Sequence, residues 1–286
     1  MAKLLEGKLL SLKIREDLKL QIAALGRRPG LLSILVGENP ASEVYIRTQK
    51  KACEEVGIDY RLEKFAATIS EAELIAAIQK FNQDKTVAGI IIQLPLPANM
   101  DYKKVCASIS PKKDADGIHP ENIGKIVFGT GKILPATAAS AVELIKSTGV
   151  NLYGKEVVVV GHSEIVGKPV ALLLLDKFAT VTVCHIGTSQ AGKLEEHVRR
   201  AEILVVAVGK ANLIRGEWIK EGAIVIDVGI NRAGDKIVGD VEFSEAEKRA
   251  GFITPVPGGV GPLTVTMLLR NVVESANDLP RKTPNQ

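Results

Sequence analysis

The sequence predicts an α/β protein with two domains, each built on a parallel sheet. Short apolar runs rich in Val, Ile and Leu alternate with helical patterns along almost all of the 286 residues. These runs are apolar on both faces, which is typical of parallel strands covered by helices on both sides. Glycines follow several of them, at the strand ends where doubly wound sheets bind ligands.

The predicted elements alternate in chain order. Strands are predicted at Leu31–Val36, Tyr60–Phe65, Ala88–Gln93, Glu156–Val160, Thr180–Cys184, Ile203–Ala207 and Ala223–Val228. Helices are predicted at Ala41–Gly57, Ser70–Asn82 with Ser70 as N-cap, Asp101–Ile109, Ala138–Thr148, Ile165–Leu175, Gln190–Arg200 and Leu263–Ala276. Met1-Ala-Lys is expected to lead directly into an amphipathic helix.

The domain boundary is predicted near residues 134–140, where a loop leads into a helix and a second αβ series begins. The last helix is expected to pack back on the N-terminal domain. We therefore predict one domain from residues 1–139 with 265–286, and a second from residues 140–264. The polar, proline-bearing end at 279–286 is predicted to be a frayed tail.

Composition excludes several function classes. The chain is 46% hydrophobic and 24% charged, and its net charge of +4 is spread without a basic block, which argues against a nucleic-acid binder. No apolar run approaches the roughly 20 residues that span a bilayer. The three cysteines form no CxxC, and no ligand spacing predicts a metal site. Together with the lack of a signal peptide, this predicts a soluble cytoplasmic protein.

One turn favours dinucleotide binding. The strand VVVV runs into Gly161-His-Ser163, and a helix follows with Gly167. Such a turn presents backbone N–H groups and a helix N-terminus to a pyrophosphate. It departs from GxGxxG at Ser163, so a tight strand–helix turn of any α/β protein is the alternative. Glycines after later strands strengthen the dinucleotide interpretation. No acid or arginine follows the next strand, so NAD and NADP both stay open.

A second candidate site begins on the first helix after Leu31–Val36. Tyr45 and Gln49 are four residues apart and share a helix face. They could stack on and hydrogen-bond a heterocycle, or they could be a partly buried Tyr and a surface Gln. Gln93, at the end of an isoleucine strand and before the turn LPLP, is expected to face a cleft.

Two further loops carry candidate residues. Asp114 and Asp116 lie in the glycine-bearing loop KKDADG, where they could cap turns or bind an amide-rich ring. The loop ITPVPGGVGPLT enters an apolar helix, and its prolines and glycines suit the close approach of a flat ligand to backbone. An ordinary interdomain turn is the alternative.

These segments together resemble the bifunctional methylenetetrahydrofolate dehydrogenase/cyclohydrolase family over essentially the whole chain. The resemblance lies in the motifs QLPLP, KDADG with a following HPENIG, VVVVGHSEIVGKP, GAIVIDVGIN with GDV, and TPVPGGVGPLT. It implies an N-terminal folate domain completed by the last helix, a Rossmann-type domain that binds NADP or NAD, a cleft between them, and a homodimer.

The resemblance also implies residue roles. Tyr45 would stack on the aminobenzoate of a tetrahydrofolate derivative, and Asp116 would hold the pterin ring. Gln93 would hydrogen-bond within the catalytic group. Leu94 and the loop Pro257-Gly258-Gly259 would line the folate site, and the dinucleotide would contact Gly161, His162, Ser163 and Ile230.

The departure at residue 49 bears on activity. The family has lysine at this position, as its key group for the cyclohydrolase step, whereas this chain has Gln49. Glutamine can hydrogen-bond but cannot titrate or carry charge. Lys50 points about 100° round the helix. We therefore expect the dehydrogenase activity to be retained and the cyclohydrolase activity to be weak or absent.

Other departures from the family motifs weaken the assignment of NADP as the cofactor, and two other classes of function stay open. The family's PCTP run is Pro135-Ala-Thr-Ala138 here, and His162 stands where an arginine is frequent. Ile186 stands where NADP-using relatives often have serine. A folate- or dinucleotide-binding protein without turnover is one alternative, and an unrelated α/β oxidoreductase is another.

Overall fold

The structure, a computed structural model, describes residues 1–234 and 236–278. The predicted tail at 279–286 lies outside the described residues. The strands are β1 Lys3–Leu4, β2 Gly30–Val36, β3 Asp59–Phe65, β4 Val87–Ile92, β5 Glu156–Val160, β6 Thr180–Cys184, β7 Ile203–Val206, β8 Ile224–Asp227, β9 Asn231–Ala233, β10 Lys236–Val238 and β11 Phe252–Ile253.

Helices alternate with these strands along the chain. They are α1 Gly7–Ala24, α2 Pro40–Val56, α3 Glu71–Gln83, α4 Tyr102–Ala107, α5 Pro120–Val127, α6 Ala136–Ser147, α7 Gly167–Leu175, α8 Ile186–Gln190, α9 Leu194–Arg200, α10 Phe243–Arg249 and α11 Val260–Asn277. Ser70 caps α3 as predicted, because its hydroxyl accepts from the Glu73 N–H while the Glu73 carboxylate accepts from the Ser70 N–H.

The chain forms two compact units. The three-stranded unit comprises residues 13–136 and, of the described chain, residues 265–278. The six-stranded unit comprises Met1–Leu12 and Thr137–Thr264. Residues 1–12 thus group with the second αβ series, whereas the sequence analysis placed them in the first domain. The physical reason is backbone pairing, because β1 lies parallel to β11.

The three-stranded unit contains a parallel sheet in the order β3-β2-β4. One face of the sheet packs against α3 and α4, and Leu32, Ile34 and Ile90 are fully buried there. Helix α11 packs near β4, where a side chain at Gly89 would collide with Val272. The Asn271 amide donates to two backbone carbonyls of this unit, which ties the helix to the loops that follow β4.

The six-stranded unit contains a parallel sheet in the order β1-β11-β8-β7-β5-β6. Apart from Glu156 at the start of β5 and Asp227 at the end of β8, its central strands are apolar and buried, which explains the hydrophobic runs in the sequence. The antiparallel hairpin β9–β10 follows β8. In this order β5 lies between β6 and β7. The chain therefore adds β6 on one side of β5 and the later strands on the other side. Doubly wound sheets bind ligands at the carboxyl end of the strand where the order changes in this way.

Several local predictions were wrong. The chain enters β1 before its first helix, so Met1-Ala-Lys does not lead directly into a helix. The helix predicted at Gln190–Arg200 is two helices, because Gly192 adopts a φ of +70° between α8 and α9. The last helix begins at Val260, three residues earlier than predicted. Periodicity missed β1 and β11 because two-residue strands carry no pattern.

Within residues 1–234 and 236–278, no helix is both long and apolar enough to cross a membrane.

Candidate active site

The candidate site of the three-stranded unit lies at the carboxyl ends of β2 and β4. Gln93 directly follows β4, and its N–H donates to the Ile34 carbonyl at 2.8 Å. Helix α2 follows β2 and carries Tyr45 and Gln49. Gln49 is fully buried and Gln93 is 2% exposed, so the alternative of a surface glutamine at 49 is wrong.

Two buried amides form the centre of this site. The Gln93 Nε2 atom donates to Gln49 Oε1 at 2.8 Å and to Ser33 Oγ at 2.9 Å. Gln49 Nε2 is buried and has no hydrogen-bond partner among the described residues. A buried donor without a close partner is unfavourable by about 1–3 kcal/mol. The side chain of Gln49 also interacts with the Tyr45 hydroxyl, whose pKa it lowers.

Tyr45 lies within electrostatic reach of both Gln49 and Asp116. Burial and then the charge of Asp116 raise the pKa of the Tyr45 hydroxyl, while the Gln49 amide lowers it. The phenol therefore stays protonated near neutral pH and presents a half-buried aromatic ring with a neutral hydroxyl.

The two acids of the KDADG loop have different environments. Asp114 is buried, and its carboxylate accepts from the Gly117 N–H at 3.0 Å, the His119 N–H at 2.7 Å and Asn122 Nδ2 at 2.9 Å. It therefore caps the loop. The pKa of Asp116 is raised to about 7, first by burial and then by the charge of Asp114, and no hydrogen bond opposes the rise within the described chain. The turn-capping alternative holds for Asp114, whereas no hydrogen bond of this kind lowers the pKa of Asp116.

The backbone around Asp116 is firmly held. Its carbonyl accepts from the Ala136 N–H at 3.0 Å, and the Asn271 side chain donates to the neighbouring Ala115 carbonyl at 2.9 Å. Leu94, expected to line the site, is 45% exposed, and its carbonyl accepts from the Ser42 hydroxyl at 2.7 Å. The structure thus brings Tyr45, Gln93 and Asp116 into one unit with a rigid framework.

The six-stranded unit carries the predicted dinucleotide turn after β5. Gly161 has a φ of +124°, and a Cβ there would collide with the Ala207 carbonyl oxygen. A Cβ at Gly167 would collide with the Gly161 carbonyl, so both positions need glycine. Strand β5, this turn and the N-terminal end of α7 thus pack closely together, which is the strand–turn–helix arrangement that binds a pyrophosphate in Rossmann-type sheets.

The other predicted cofactor residues lie in the same unit. Ser163 Oγ accepts from the Val166 N–H at 3.2 Å and so stabilises the turn. His162 is exposed, and its ring centroid is 5.2 Å from that of His185, which follows β6. Ile230 is 69% exposed, as expected of an apolar side chain available to a ligand.

The Pro/Gly loop is also part of the six-stranded unit. The Gly258 carbonyl accepts from the Gly7 N–H at 3.0 Å, and the Gly259 N–H donates to the Pro255 carbonyl at 2.8 Å. Gly258 has a φ of +113°, which requires glycine, and Pro257 precedes it. The loop is therefore a fixed backbone surface, as its composition predicted.

Sequence reasoning missed two groups of positioning residues. Ser33, which accepts from Gln93, could have been found as the one polar residue in an apolar strand. The carboxylate of Asp240 accepts from three backbone N–H groups after β7 and from Asn231 Nδ2. Asp227 accepts from three N–H groups around the hairpin, and burial raises its pKa to about 6. These acids organise loops at the dinucleotide end of the sheet.

The described residues contain no group of three or more His, Cys, Asp and Glu side chains that could hold a metal ion. All three cysteines are free and buried.

The fold and the turn after β5 define a two-unit α/β protein with a Rossmann-type dinucleotide-binding sheet. Residues 5–116 match the model for the tetrahydrofolate dehydrogenase/cyclohydrolase catalytic domain, and residues 135–279 match the model for the NAD(P)-binding domain of that family. The chain belongs to the tetrahydrofolate dehydrogenase/cyclohydrolase family.

Individual relatives agree with this assignment. The chain is 51% identical to the bifunctional protein FolD of Bacillus subtilis over 279 residues, covering 96% of this chain and 98% of that protein. The bifunctional FolD structure from Campylobacter jejuni superposes with a TM-score of 0.93 at 46% identity, covering 97% of this chain and 99% of that one. A Trypanosoma brucei FolD complexed with NADP and an inhibitor has a TM-score of 0.91 at 39% identity, covering 96% and 97%.

Proposed function

We propose that this protein is a methylenetetrahydrofolate dehydrogenase that uses NADP or NAD, and that its cyclohydrolase activity is weak or absent. Hydride leaves the bridging methylene of the folate, and the resulting methenyl cation shares its charge with the two flanking nitrogens. When bound, the nicotinamide dinucleotide accepts that hydride.

The buried pair of Gln49 and Gln93 is the observation that carries this proposal. Gln49 occupies the position at which the resemblance implies a lysine, and its unpaired Nε2 is a neutral donor. Hydride transfer depends chiefly on positioning donor and acceptor in a site shielded from water, and it needs no proton from a side chain. A hydrogen-bonding amide therefore suffices for this step.

Binding of the folate is assigned to Tyr45 and Asp116. The half-buried ring of Tyr45 is placed to stack on the aminobenzoate. The Asp116 carboxylate would accept N–H groups of the pterin, and no group of the described chain competes for it. Because its pKa is about 7, pterin N–H donors would also favour its ionised form on binding.

Hydrolysis of the methenyl bridge places a different demand on the site. Water must be activated and protons moved, which a lysine can assist and an amide cannot. Lys50 is exposed on the solvent side of α2, so it does not replace the missing group. Loss of such acid–base help typically lowers a rate by ~10²–10⁴.

The test is the absorbance of methenyltetrahydrofolate with purified protein, with NAD and NADP in parallel. We expect formation that requires the dinucleotide, followed by decay no faster than in buffer. The cofactor that gives the faster formation is the preferred one. An Asp116→Asn variant, which cannot supply the carboxylate, is expected to form the product only at much higher folate concentration.

Two results would contradict the proposal. If neither cofactor supports formation, the protein is a catalytically inactive folate- or dinucleotide-binding member of the family. If decay of added methenyltetrahydrofolate is strongly accelerated, another group compensates for Gln49 and the enzyme is bifunctional.

We also propose that the protein is a homodimer of the cytoplasm. The family resemblance supports the dimer, and free buried cysteines are typical of reducing compartments. Light scattering of the purified chain tests the dimer, since a mass of one 30.6 kDa chain at micromolar concentration would contradict it.

A further inference from the structure

Asp240 is a fully buried acid of the six-stranded unit, in the segment between β10 and α10. One oxygen of its carboxylate, Oδ2, accepts from the backbone N–H groups of Val208 at 2.7 Å and Gly209 at 3.0 Å. The other oxygen, Oδ1, accepts from the Lys210 N–H at 2.8 Å and from Asn231 Nδ2 at 2.8 Å. Four donors from two separate loops therefore converge on one buried carboxylate.

The three consecutive N–H groups after β7 form a backbone nest around this carboxylate. Gly209 has a φ of +67°, and a left-handed residue in such a turn directs successive N–H groups toward one point. Nests of this kind bind anions, and here the chain supplies the anion itself. Because hydrogen bonds to a carboxylate are stronger than those between neutral groups, Asp240 holds this loop in one conformation.

The loop that Asp240 holds packs against the dinucleotide turn. A Cβ at Gly161 would collide with the Ala207 carbonyl oxygen, so the residue that follows β7 directly contacts the turn after β5. A Cβ at Gly229 would collide with the carboxyl group of Asp240, and Asn231, which donates to the same group, begins β9. One carboxylate thus joins the loop after β7 to the loop after β8.

The strand order indicates which half of a dinucleotide meets these loops. In doubly wound sheets the pyrophosphate lies at the turn after the first strand, here β5, and the ribose of the adenosine is recognised at the end of the next strand, here β6. Strands β7 and β8 lie on the opposite side of β5. The nicotinamide half would therefore extend toward the loops that Asp240 joins, where the exposed side chain of Ile230 also lies.

We propose that Asp240 is a positioning residue for the nicotinamide half of the dinucleotide. Its carboxylate holds the loops after β7 and β8 in the arrangement that this half requires, and Asp240 itself stays buried and acts through those loops. The inference rests on the proposed dehydrogenase function and deepens it. It applies to NAD and NADP alike, because the 2′-phosphate belongs to the adenosine half.

The test is Asp240→Asn, with the Kd of NAD, NADP and ADP measured by calorimetry. Each carboxylate oxygen accepts from two donors, so the NH₂ group of the asparagine opposes two of them whichever way the amide faces. The loops then have the binding-competent arrangement for only part of the time, which raises the apparent Kd. We expect the Kd of NAD and NADP to rise about tenfold, as loss of hydrogen bonds to a buried carboxylate allows. The Kd of ADP, which lacks the nicotinamide half, should change less than twofold.

The matched control is Glu202→Gln. The Glu202 carboxylate also accepts from a backbone N–H of this unit, that of Glu156 at 3.0 Å, but Glu202 precedes β7 and lies at the amino end of the sheet. This control should leave all three Kd values unchanged. A loss of folded protein lowers the number of binding sites per chain in the same titration and leaves the Kd as it is, so destabilisation is separated from loss of affinity.

A second variant decides the question if Asp240→Asn does not fold. Asn231→Ala removes one of the four donors and keeps the carboxylate in its nest. We expect it to raise the Kd of NAD and NADP about threefold and to leave the Kd of ADP unchanged. Unchanged Kd values for NAD and NADP would then overturn the inference.

The outcomes separate this inference from the proposed function. A folded Asp240→Asn protein that binds NAD and NADP as tightly as the wild type would overturn the inference while the dehydrogenase function stands. An equal loss of NAD and ADP binding would also overturn it, because Asp240 would then support the whole unit and not the nicotinamide half. A wild-type protein that binds neither NAD nor NADP would overturn the proposed function and this inference with it.

Discussion

Replacing Gln49 by Lys should create the activity that the glutamine is proposed to remove. The side chain at this position is fully buried next to Gln93 and within reach of Tyr45. A lysine Nζ placed there would meet the same neighbours, with Gln93 flipped so that its Oε1 accepts.

The magnitude follows from the burial of the site. A desolvated lysine has a lowered pKa, which brings its proton exchange toward neutral pH, where water activation is needed. We expect the rate of methenyltetrahydrofolate hydrolysis to rise by ~10²–10⁴, the range of general acid–base catalysis. Burying an ammonium group and losing the amide pair should destabilise the protein by about 2 kcal/mol, which lowers Tm by about 4–8 °C.

The assay is the decay of added methenyltetrahydrofolate, read by absorbance against the buffer rate. The composition-matched variant is Gln49→Lys combined with Lys50→Gln, which moves one lysine by one residue along α2. Lys50→Gln alone is the control and should change nothing, since Lys50 is exposed. Dehydrogenase activity should persist in all three.

A folded, dehydrogenase-active Gln49→Lys variant that hydrolyses the methenyl bridge no faster than the wild type would contradict this prediction. Residue 49 would then not limit the hydrolysis.

Three further outcomes follow from the structure. Asp116→Asn should raise the KM for the folate about 100-fold, because loss of an ionic hydrogen bond weakens binding by ~3 kcal/mol. The same variant should have a higher Tm than the wild type at pH 8. The variant is expected to be more stable because the pKa of Asp116 is about 7 in the folded protein and 3.8 in the unfolded chain. As the pH rises from 3.8 to 7, the wild type therefore loses stability, and the asparagine does not ionise and avoids this loss. A lower Tm for the variant at pH 8 would contradict this. In the wild type, the folate KM should rise about tenfold per unit as pH falls below 7, because only ionised Asp116 accepts the pterin N–H groups; a flat profile from pH 5.5 to 8 would exclude that role. Gly161→Ala should abolish the binding of NADP and NAD that calorimetry measures. The control is Gly192→Ala, because Gly192 also has a positive φ but has open space around it. This control should lose only about 1 kcal/mol of stability and keep dinucleotide binding.

Local sequence patterns determined the elements that depend on local chemistry. Alternation of buried strands and helices predicted the α/β class, and Ser70 predicted the start of α3, because capping involves groups within one turn. Gly161 marked the dinucleotide turn, since positive φ and close backbone approach restrict the residue type itself. The polar residues Gln93 and Asp116 were predicted to belong to the site because Gln93 stands at a strand end and Asp116 in a loop.

The tertiary structure decided which partners these residues have. The pairing of β1 with β11 joins residues 249 positions apart, such as Lys3 and Phe252, and places the first residues in the six-stranded unit. No local pattern records that contact. The contrast between Asp114 and Asp116 has the same origin. The loop turns the Asp114 carboxylate onto its own N–H groups and leaves the half-buried Asp116 carboxylate without such donors.

The pair of Gln49 and Gln93 shows most clearly what the sequence alone does not determine. The sequence by itself determined that Gln49 shares a helix face with Tyr45, because a helix repeats every 3.6 residues. Only the tertiary structure decided that Gln49 is fully buried, and that the Gln93 amide donates to both Gln49 and Ser33. The physical reason is that burial and hydrogen-bond direction depend on side chains from separate strands and a helix, which meet only when the sheet has formed.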